Sequence, residues 1–338
     1  MRESLTTRRI HIAARSRAAK TAELKRLPRF SSDVPAFQGV RPQCPRCRAN
    51  INQLECQFCR LKMQVNCGIV VALPEDRTAH YAGCIERCER METMAGKDIL
   101  KQRYYLSLPY KEISGRESTT WRIRAHSYSY LVERDLSQQP AFGCGRILDL
   151  GAGNCWMSFR LTLARYRPFA VDLNTCDHHG LRAGEHFRMH LPAMFPRFQA
   201  EFTNLPFQDG QFDVVVFNSS FQYIDDYKAA FREAFRCTRS GGMVIVSYTP
   251  GIRREEPPEK LQSHRRVVLA GHDTTLDSIE GLECILEERL RTLKKQVPIE
   301  WTIYSPLYGF LWSLRALAAK LFNRHEPSPF CIYATRKP

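Results

Sequence analysis

The sequence predicts an α/β protein: a mostly parallel, doubly wound sheet with a closing antiparallel strand, preceded by a small cysteine-rich ribbon. Three observations carry this expectation. Short apolar strands alternate with helix-patterned segments through residues 145–250, as a parallel sheet with crossover helices requires. The first of those strands runs into a glycine turn that opens a helix, the arrangement that puts a ligand site at a strand's carboxyl end. Ahead of them, two Cys-x-x-Cys pairs stand eight residues apart.

Residues 1–40 carry nine Lys/Arg against three Asp/Glu, +6 of a net charge of +15, with neither helix nor strand periodicity. Transit peptides, disordered tails and over-extended start sites all share such an Arg/Ser/Thr-rich opening, and composition favours a disordered basic tail. No apolar run of a secretory signal follows, and no stretch approaches the ~20 apolar residues of a membrane span. Thirteen cysteines are many, but a chain of this length needs no disulfide staples. Paired Cys-x-x-Cys motifs point instead to a metal in a reducing compartment, hence to a cytoplasmic protein.

Residues 41–77 read as the ribbon. Cys44 with Cys47 and Cys56 with Cys59 each set two thiolates on one knuckle, and two knuckles complete a tetrahedral S4 site suited to Zn2+. Four thiolates leave no position open for substrate, so the metal's role is structural. The bland alternative, four unrelated reduced cysteines, sits poorly with the twin spacing. Cys84 and Cys88 are one helical turn apart and read as ordinary reduced cysteines. Residues 78–140 form a helical connecting or lid segment, in which Trp121, Arg122 and Arg124 interleave aromatic and basic side chains.

Residues 141–338 form the main domain. Ile147–Leu150 is a buried strand, Gly151-Ala152-Gly153 a turn, and a helix follows from Trp156. A second strand ends at Asp172, 23 residues after Asp149, where such folds place an acid that accepts the ribose hydroxyls. QFDVVVFN at 211–218 is an apolar strand buried on both faces, a helix runs from about Asp226 to Thr238, Ser240-Gly241-Gly242 turns, and Met243–Tyr248 is another strand. A dinucleotide fingerprint would need glycine where Trp156 stands, which argues against NAD or FAD.

The segments LDLGAGNC, VDLN, LPFQDGQFDVVVFN and RSGGMVIV resemble, in that order, the class I S-adenosylmethionine (SAM) dependent methyltransferases. They are most similar to the type 11 group, which includes ubiquinone/menaquinone-biosynthesis methyltransferases. The resemblance covers roughly residues 145–250 and implies a Rossmann-like sheet with SAM as cofactor. It implies that Asp149, Gly151 and Gly153 line the methionine end of SAM and that Asp172 binds its ribose. It places Glu201 and Phe202 at the adenine, and Asn218 and Ser219 near the transferred methyl. The twin Cys-x-x-Cys module resembles the zinc ribbon of the short activator subunit of tRNA methyltransferases. Two departures matter: Cys155 stands where the family often has a third glycine, and Glu201 where it usually has Asp. A cysteine cannot take positive φ cheaply, so Cys155 would weaken cofactor binding if that position demands it. Gln222 stands near where family members often have His, and glutamine cannot act as a base.

Methyl transfer from a sulfonium is an in-line displacement that needs positioning more than a strong base. Tyr223, Asp225, His178 and His179 follow the cofactor strands and are candidates to orient an acceptor; for each, a loop or capping role is the commoner one. Further on, 274–295 reads as a solvated helix, 297–304 and 330–335 as the closing antiparallel pair, and 307–322 as an apolar core or lid helix. The leading expectation is methyl transfer to a small, possibly hydrophobic metabolite. The runner-up is a ribosomal or transfer RNA methyltransferase that grips RNA with ribbon and tail. A third reading is a non-catalytic partner that kept the fold. Residues 141–250 hold eleven bases against ten acids, so no basic groove is evident in the catalytic domain, and RNA takes second place.

Overall fold

The computed structural model describes residues 37–248, except 53, 95, 97–99, 116–120, 122–123, 126, 137–142, 222–223 and 225, together with strand residues 268–269, 272–273, 302–303 and 331–336. Most of the basic tail, the helix at 274–295, the apolar segment at 307–322, and Gln222, Tyr223 and Asp225 lie outside the described residues.

The strands are β1 (Ile51–Asn52), β2 (Glu55–Cys56), β3 (Gln64–Asn66), β4 (Ile69–Val71), β5 (Arg146–Leu150), β6 (Arg167–Asp172), β7 (Arg197–Gln199), β8 (Phe212–Asn218), β9 (Thr238–Tyr248), β10 (Val268–Leu269), β11 (His272–Asp273), β12 (Thr302–Ile303) and β13 (Cys331–Arg336). Helices are α1 (Glu75–Met94), α2 (Gln102–Ser107), α3 (Trp156–Leu163) and α4 (Tyr227–Cys237), with further helical turns over Ser129–Leu136 and Leu181–His190.

Nine strands form one sheet in the order β12-β13-β9-β8-β5-β6-β7-β4-β3. From β9 across to β7 the neighbours are parallel. The chain reverses direction of travel across the sheet between β5 and β8, the switch point at which open α/β sheets bind ligands. Ile147, Leu148 and Leu150 of β5 and Val214–Phe217 of β8 are all but inaccessible, as expected of strands covered on both faces. β13 runs antiparallel to β9, with Tyr333 opposite Val246, and β12 antiparallel to β13. This is the closing antiparallel pair expected from the sequence.

α4 is amphipathic for a visible reason. Asp226 caps it, its carboxylate accepting the Ala229 N–H at 2.9 Å, and Ala230, Phe231, Ala234 and Cys237 fall on its buried face. The turn expected at Ser240-Gly241-Gly242 is a bulge inside β9. Phe212 pairs with Thr238 but Val214 pairs with Met243, so the residues between loop out. Gly242 is required there, because a Cβ would lie 2.7 Å from the Asp213 carbonyl oxygen.

The ribbon's second hairpin belongs to the large sheet. Its Cys67-Gly68 turn has positive φ at both residues, 50° and 69°, the tight form that suits strand twist. Its strand β4 then pairs in parallel with β7, Val70 opposite Phe198. Ile69 and Val70 are 1% and 0% exposed. A free-standing ribbon would leave these two apolar side chains in water, whereas pairing buries them and covers the edge of β7.

Candidate cofactor site and cysteine cluster

At the carboxyl end of β5 the chain turns through Gly151 (φ 81°) and Gly153 (φ 50°). A Cβ on Gly151 would sit 2.3 Å from Cβ of Ser220, whose hydroxyl donates to the Leu150 carbonyl at 2.6 Å. Only glycine lets the ends of β5 and β8 close up in this way. Cys155 then caps α3 at φ 63°, ψ 17°. The left-handed conformation that the glycine pattern calls for is therefore adopted by cysteine, at a cost of ~1–2 kcal/mol. Burial pushes its thiol well up, so it is protonated and inert.

Asp149 is 1% exposed. Its Oδ2 accepts the Ser158 hydroxyl at 2.8 Å, while Oδ1 is buried with no protein partner. Burial raises its pKa to about 7. Asp172 accepts the Gly153 N–H on Oδ2 and the Asn174 N–H on Oδ1, both at 2.8 Å. Each oxygen keeps a lone pair for a further donor, and burial holds its pKa above the usual carboxylate range.

Asp149, Gly151, Gly153, Asn218, Ser219 and both predicted histidines, His178 and His179, line one pocket. The structure thus brings together five of the eight predicted cofactor residues. Asp172 stands just behind them through its bond to Gly153. Glu201 and Phe202 are not in this pocket's wall. The Glu201 carboxylate is held by Arg77 (2.7 Å), Tyr81 (3.0 Å) and Thr203 (3.2 Å). Phe202 packs edge-on to Phe217 at 5.9 Å.

The two histidines differ. Asn174 Oδ1 accepts the Cys176 N–H at 2.8 Å, so its amide nitrogen faces His179 Nε2 at 3.1 Å. His179 Nε2 is therefore an acceptor, and the proton sits on Nδ1, 3.2 Å from Cys176 Sγ. His179 braces its own loop, and only its neighbour's ring is left out of that network. Tyr105 fixes His178 by donating to its carbonyl at 2.9 Å.

Sequence reasoning did not single out the remaining wall: Leu100, Tyr104, Asn154 and Met157, with Trp156 read as the start of a helix and as evidence against a dinucleotide. Trp121 and Arg124, read as lid or layer, also face the pocket. The Arg124 guanidinium lies over the Trp121 ring at 4.5 Å, and Trp121 meets Trp156 edge-on at 5.7 Å. No one-dimensional pattern links these aromatics to the glycine turn; α2 and residue 121 reach it only through the fold.

The four ribbon cysteines converge, with Sγ atoms all within 4.8 Å of one another. Cys44–Cys59 and Cys47–Cys56 are 3.5 and 3.4 Å apart. Tetrahedral bonds of ~2.3 Å to a zinc ion place sulfurs about 3.8 Å apart, so the donor set fits a divalent ion. The two knuckles repeat one geometry: Arg48 and Arg60 follow at φ 63° and 61°, each donating its N–H back to the first cysteine's carbonyl at 2.9 and 3.0 Å. The backbone N–H of Cys59 lowers the Cys56 thiol to about 6, and burial raises that of Cys44 to about 12.

Comparison with known proteins agrees with this frame. Residues 148–246 match the methyltransferase domain family of type 11. A demethylmenaquinone methyltransferase from Streptomyces avermitilis is 33% identical over 156 residues, 45% of this chain and 64% of that protein. A malonyl-[acyl-carrier protein] O-methyltransferase from Geobacter sulfurreducens is 35% identical over 150 residues, 43% of this chain and 55% of that one. A demethylmenaquinone methyltransferase from Mycolicibacterium gilvum is 32% identical over 101 residues, 30% of this chain and 40% of its own length. The chain thus spans about half the length of the curated relatives it matches. Among solved structures, Haemonchus contortus phosphoethanolamine N-methyltransferase 2 in complex with SAM is similar at 14% identity and TM-score 0.39, over 71% of this chain and 60% of that one. With its ordered motifs, its sheet order and the matched residues 148–246, the chain carries a class I SAM-dependent methyltransferase domain.

Proposed function

We propose that the protein transfers a methyl group from SAM to a small, apolar metabolite by in-line displacement. The observation that carries this reading is the buried, partnerless Asp149 Oδ1 facing a pocket walled by the glycine turn on one side and by aromatic side chains on the other. A buried carboxylate oxygen without a partner is costly unless a ligand supplies a cation, and the α-ammonium of SAM is one. The residues present therefore fit SAM. Bound there, SAM supplies an electrophilic methyl on a sulfonium whose sulfur leaves as a neutral thioether.

The protein's share is positioning and exclusion of water. Asp149 with the Gly151 and Gly153 backbone holds the amino-acid end, and Asp172 takes the ribose hydroxyls with its remaining lone pairs. Asn218 and Ser219, at the carboxyl end of β8, flank the methyl. Tyr104, Trp121, Trp156 and Met157 stand in the same wall and offer the acceptor aromatic and apolar contacts. His178 lines the same pocket and is placed to orient the acceptor atom. The names of the demethylmenaquinone methyltransferases among the relatives support a small-molecule acceptor, while the malonyl-[acyl-carrier protein] O-methyltransferases name a carrier-borne one.

Zinc at Cys44, Cys47, Cys56 and Cys59 completes the proposal, in a structural role. The segment ahead of the first knuckle runs along the amino ends of the strands: the Arg146 guanidinium donates to the Gly39 carbonyl, and the Arg41 N–H to Gln211 Oε1 at 3.1 Å. The pocket opens at the carboxyl ends, ~20 Å away along the seven residues of β8.

Calorimetry with SAM tests the cofactor half. The wild type should bind and Asp172→Ala should bind at least tenfold more weakly; equal or absent binding in both would sink the reading. Incubation with methyl-labelled SAM and fractionated small-molecule extract then tests the acceptor half, which fails if label enters only RNA or protein.

A further inference from the structure

The outer face of the ribbon combines one bare aromatic ring with a surplus of bases. Residues 41–73 carry five Arg/Lys and a single acid, Glu55. The module stays positive even when the two negative charges of a zinc ion held by four thiolates are counted. Of its bases, only Arg48 is paired with an acid among the described residues, Glu233 at 2.8 Å. Arg41, Arg46, Arg60 and Lys62 are exposed. Between Cys56 and Cys59 stands Phe58, 82% exposed, whereas every other phenylalanine of the described residues is buried or half-buried. Its loop is fixed: the Arg60 N–H donates to the Cys56 carbonyl at 3.0 Å and the Cys59 N–H to Cys56 Sγ at 3.4 Å. The ring is thus held out on a rigid knuckle and adds nothing to the core.

We infer that this face docks a single-stranded nucleic acid, Phe58 stacking on a base while Arg41, Arg46, Arg60 and Lys62 hold the backbone phosphates. Lys and Arg supply a sequence-independent attraction, and an exposed ring accepts any unpaired base because every base has a π-face. Arg46 and Phe58 are the third residues of the two knuckles. The knuckles close around one ion position, with Sγ atoms within 4.8 Å of one another, so charge and ring belong to the same end of the ribbon. A duplex hides its base faces and offers Phe58 nothing to stack on. A membrane surface takes up several apolar side chains, but Gln57 and Arg60, beside Phe58 on its knuckle, are polar and exposed. Residues 1–40, with nine Lys/Arg against three acids, lead directly into this face. The ribbon meets the domain just ahead of β8, where the Gln43 N–H donates to the Pro206 carbonyl at 3.0 Å and the Gln208 N–H to that of Arg41 at 3.1 Å. That is the end of the strands opposite the pocket. The docked strand is therefore a tether and not the methyl acceptor, and the inference stands independently of the SAM reading.

The test follows the fluorescence anisotropy of a labelled, mixed-sequence RNA of about 12 nucleotides, single-stranded or paired with its complement. It uses the zinc-loaded full chain between about 50 and 200 mM salt. Phe58→Ala should weaken the single strand by about 5- to 100-fold and leave the duplex unchanged, and Phe58→Tyr should restore most of the loss. Arg46→Gln combined with Arg60→Gln should reduce the slope of log affinity against log salt by about 1.4. Because these side chains are exposed, each variant should keep its zinc and the wild-type melting temperature. Equal weakening of strand and duplex by Phe58→Ala would overturn the inference. So would no weakening of either, which would leave any affinity to charge alone. Vesicles of phosphatidylglycerol and phosphatidylcholine that bind the wild type but not Phe58→Ala, with no RNA bound, would also overturn it and assign the face to a membrane.

Discussion

The carboxyl and amino ends of the parallel strands differ in what they face, a pocket at one and the ribbon at the other. At the carboxyl ends, Gly151, Gly153, Cys155 and Ser219 all have positive φ, and Asp149 keeps a buried oxygen without a partner. At the other end the ribbon and the domain are closely cross-linked. Arg48 of the first knuckle pairs with Glu233 of α4 at 2.8 Å, and Glu233 also accepts the Leu205 N–H and pairs with Arg236. Gln43 donates to the Pro206 carbonyl and Gln208 to that of Arg41, while the Asn204 side chain donates to the Pro45 carbonyl. Left-handed residues occur at both ends, Cys144 and Arg165 ahead of β5 and β6 and Arg48 and Arg60 in the knuckles; what sets the carboxyl end apart is that its glycine turn and the Asp149 carboxylate line a pocket, as in ligand sites. The amino end also leaves buried amide oxygens of Gln43 and Asn204 without a partner, but its other polar groups are engaged in contacts between ribbon and domain, and Cys44 and Cys56 are buried in the same core as Phe207 and Phe212. The contrast is between an end that lines the pocket and an end cross-linked to the ribbon, and it motivates the structural role proposed for the ribbon.

The largest effect that would sharpen this contrast is metal removal. A structural zinc supplies on the order of 10 kcal/mol in isolated fingers. If about a third of that is felt here, chelation or Cys56→Ser should lower the melting temperature by roughly 10 °C, at ~2–4 °C per kcal/mol for a domain of this size. Metal analysis should give one zinc per chain before treatment and none after. A chain that holds no metal, or that melts unchanged without it, would break the comparison from the ribbon side.

Next in size is Asp149→Asn. Losing the charged contact should weaken SAM by about 10- to 100-fold, with a signature in pH. The carboxyl is pushed up to about 7 by burial, against 3.8 for the ordinary group. Between roughly pH 4 and 7 the folded protein holds a proton that the unfolded chain does not, so the ligand-free protein should lose stability as pH rises through that window. A cation needs the ionised form, so affinity for SAM should climb through the same window, with proton release seen by calorimetry in buffers of different ionisation enthalpy. Asp149→Asn should flatten both profiles. A wild-type affinity that does not vary between pH 5 and 7 would exclude the proposed contact.

Much of this was legible in the sequence because the informative residues are local. A strand, a glycine turn and a helix follow one another within twenty residues, and each Cys-x-x-Cys is its own geometric statement. The ordered motifs therefore place Asp149, Gly151, Gly153, Asn218 and Ser219 around one pocket. What was not legible depends on contacts between distant segments. Nothing in Ile69–Val71 says that this strand joins β7, 126 or more residues later. Nothing in Glu201 says that Arg77 and Tyr81 will occupy its carboxylate, because the partners come from α1. The Ser240-Gly241-Gly242 turn became a bulge for a similar reason, since only the register with β8 separates the two.

A smaller effect probes the cross-links. Arg48→Ala removes one partner of Glu233, which keeps Arg236 and the Leu205 N–H. The Arg48 side chain is 42% exposed, so solvent screens the pair and the loss should be no more than about 1 kcal/mol. The melting temperature should fall by ~2–4 °C while the dissociation constant for S-adenosylhomocysteine stays the same. A loss of cofactor affinity in this variant would mean that the two ends are coupled.

The smallest expected effect is the one that tests strain. At φ 63°, Cys155→Gly should recover ~1–2 kcal/mol of left-handed strain. It also loosens the unfolded chain by ~0.4–1 kcal/mol and deletes a buried thiol whose Sγ lies 3.6 Å from the Gly153 carbonyl and 3.8 Å from that of Leu181. These terms nearly cancel, so Cys155→Gly should melt close to the wild type. Cys155→Ala keeps the Cβ and its strain but loses the sulfur's contacts, so it should be less stable than Cys155→Gly by about 1 kcal/mol. If Ala is instead the more stable of the two, the turn carries no strain at this position, and the glycine pattern there reflects room for the ligand rather than backbone conformation. Cofactor affinity separates those cases: strain alone predicts equal affinity in both variants, whereas a need for room predicts tighter binding in Cys155→Gly.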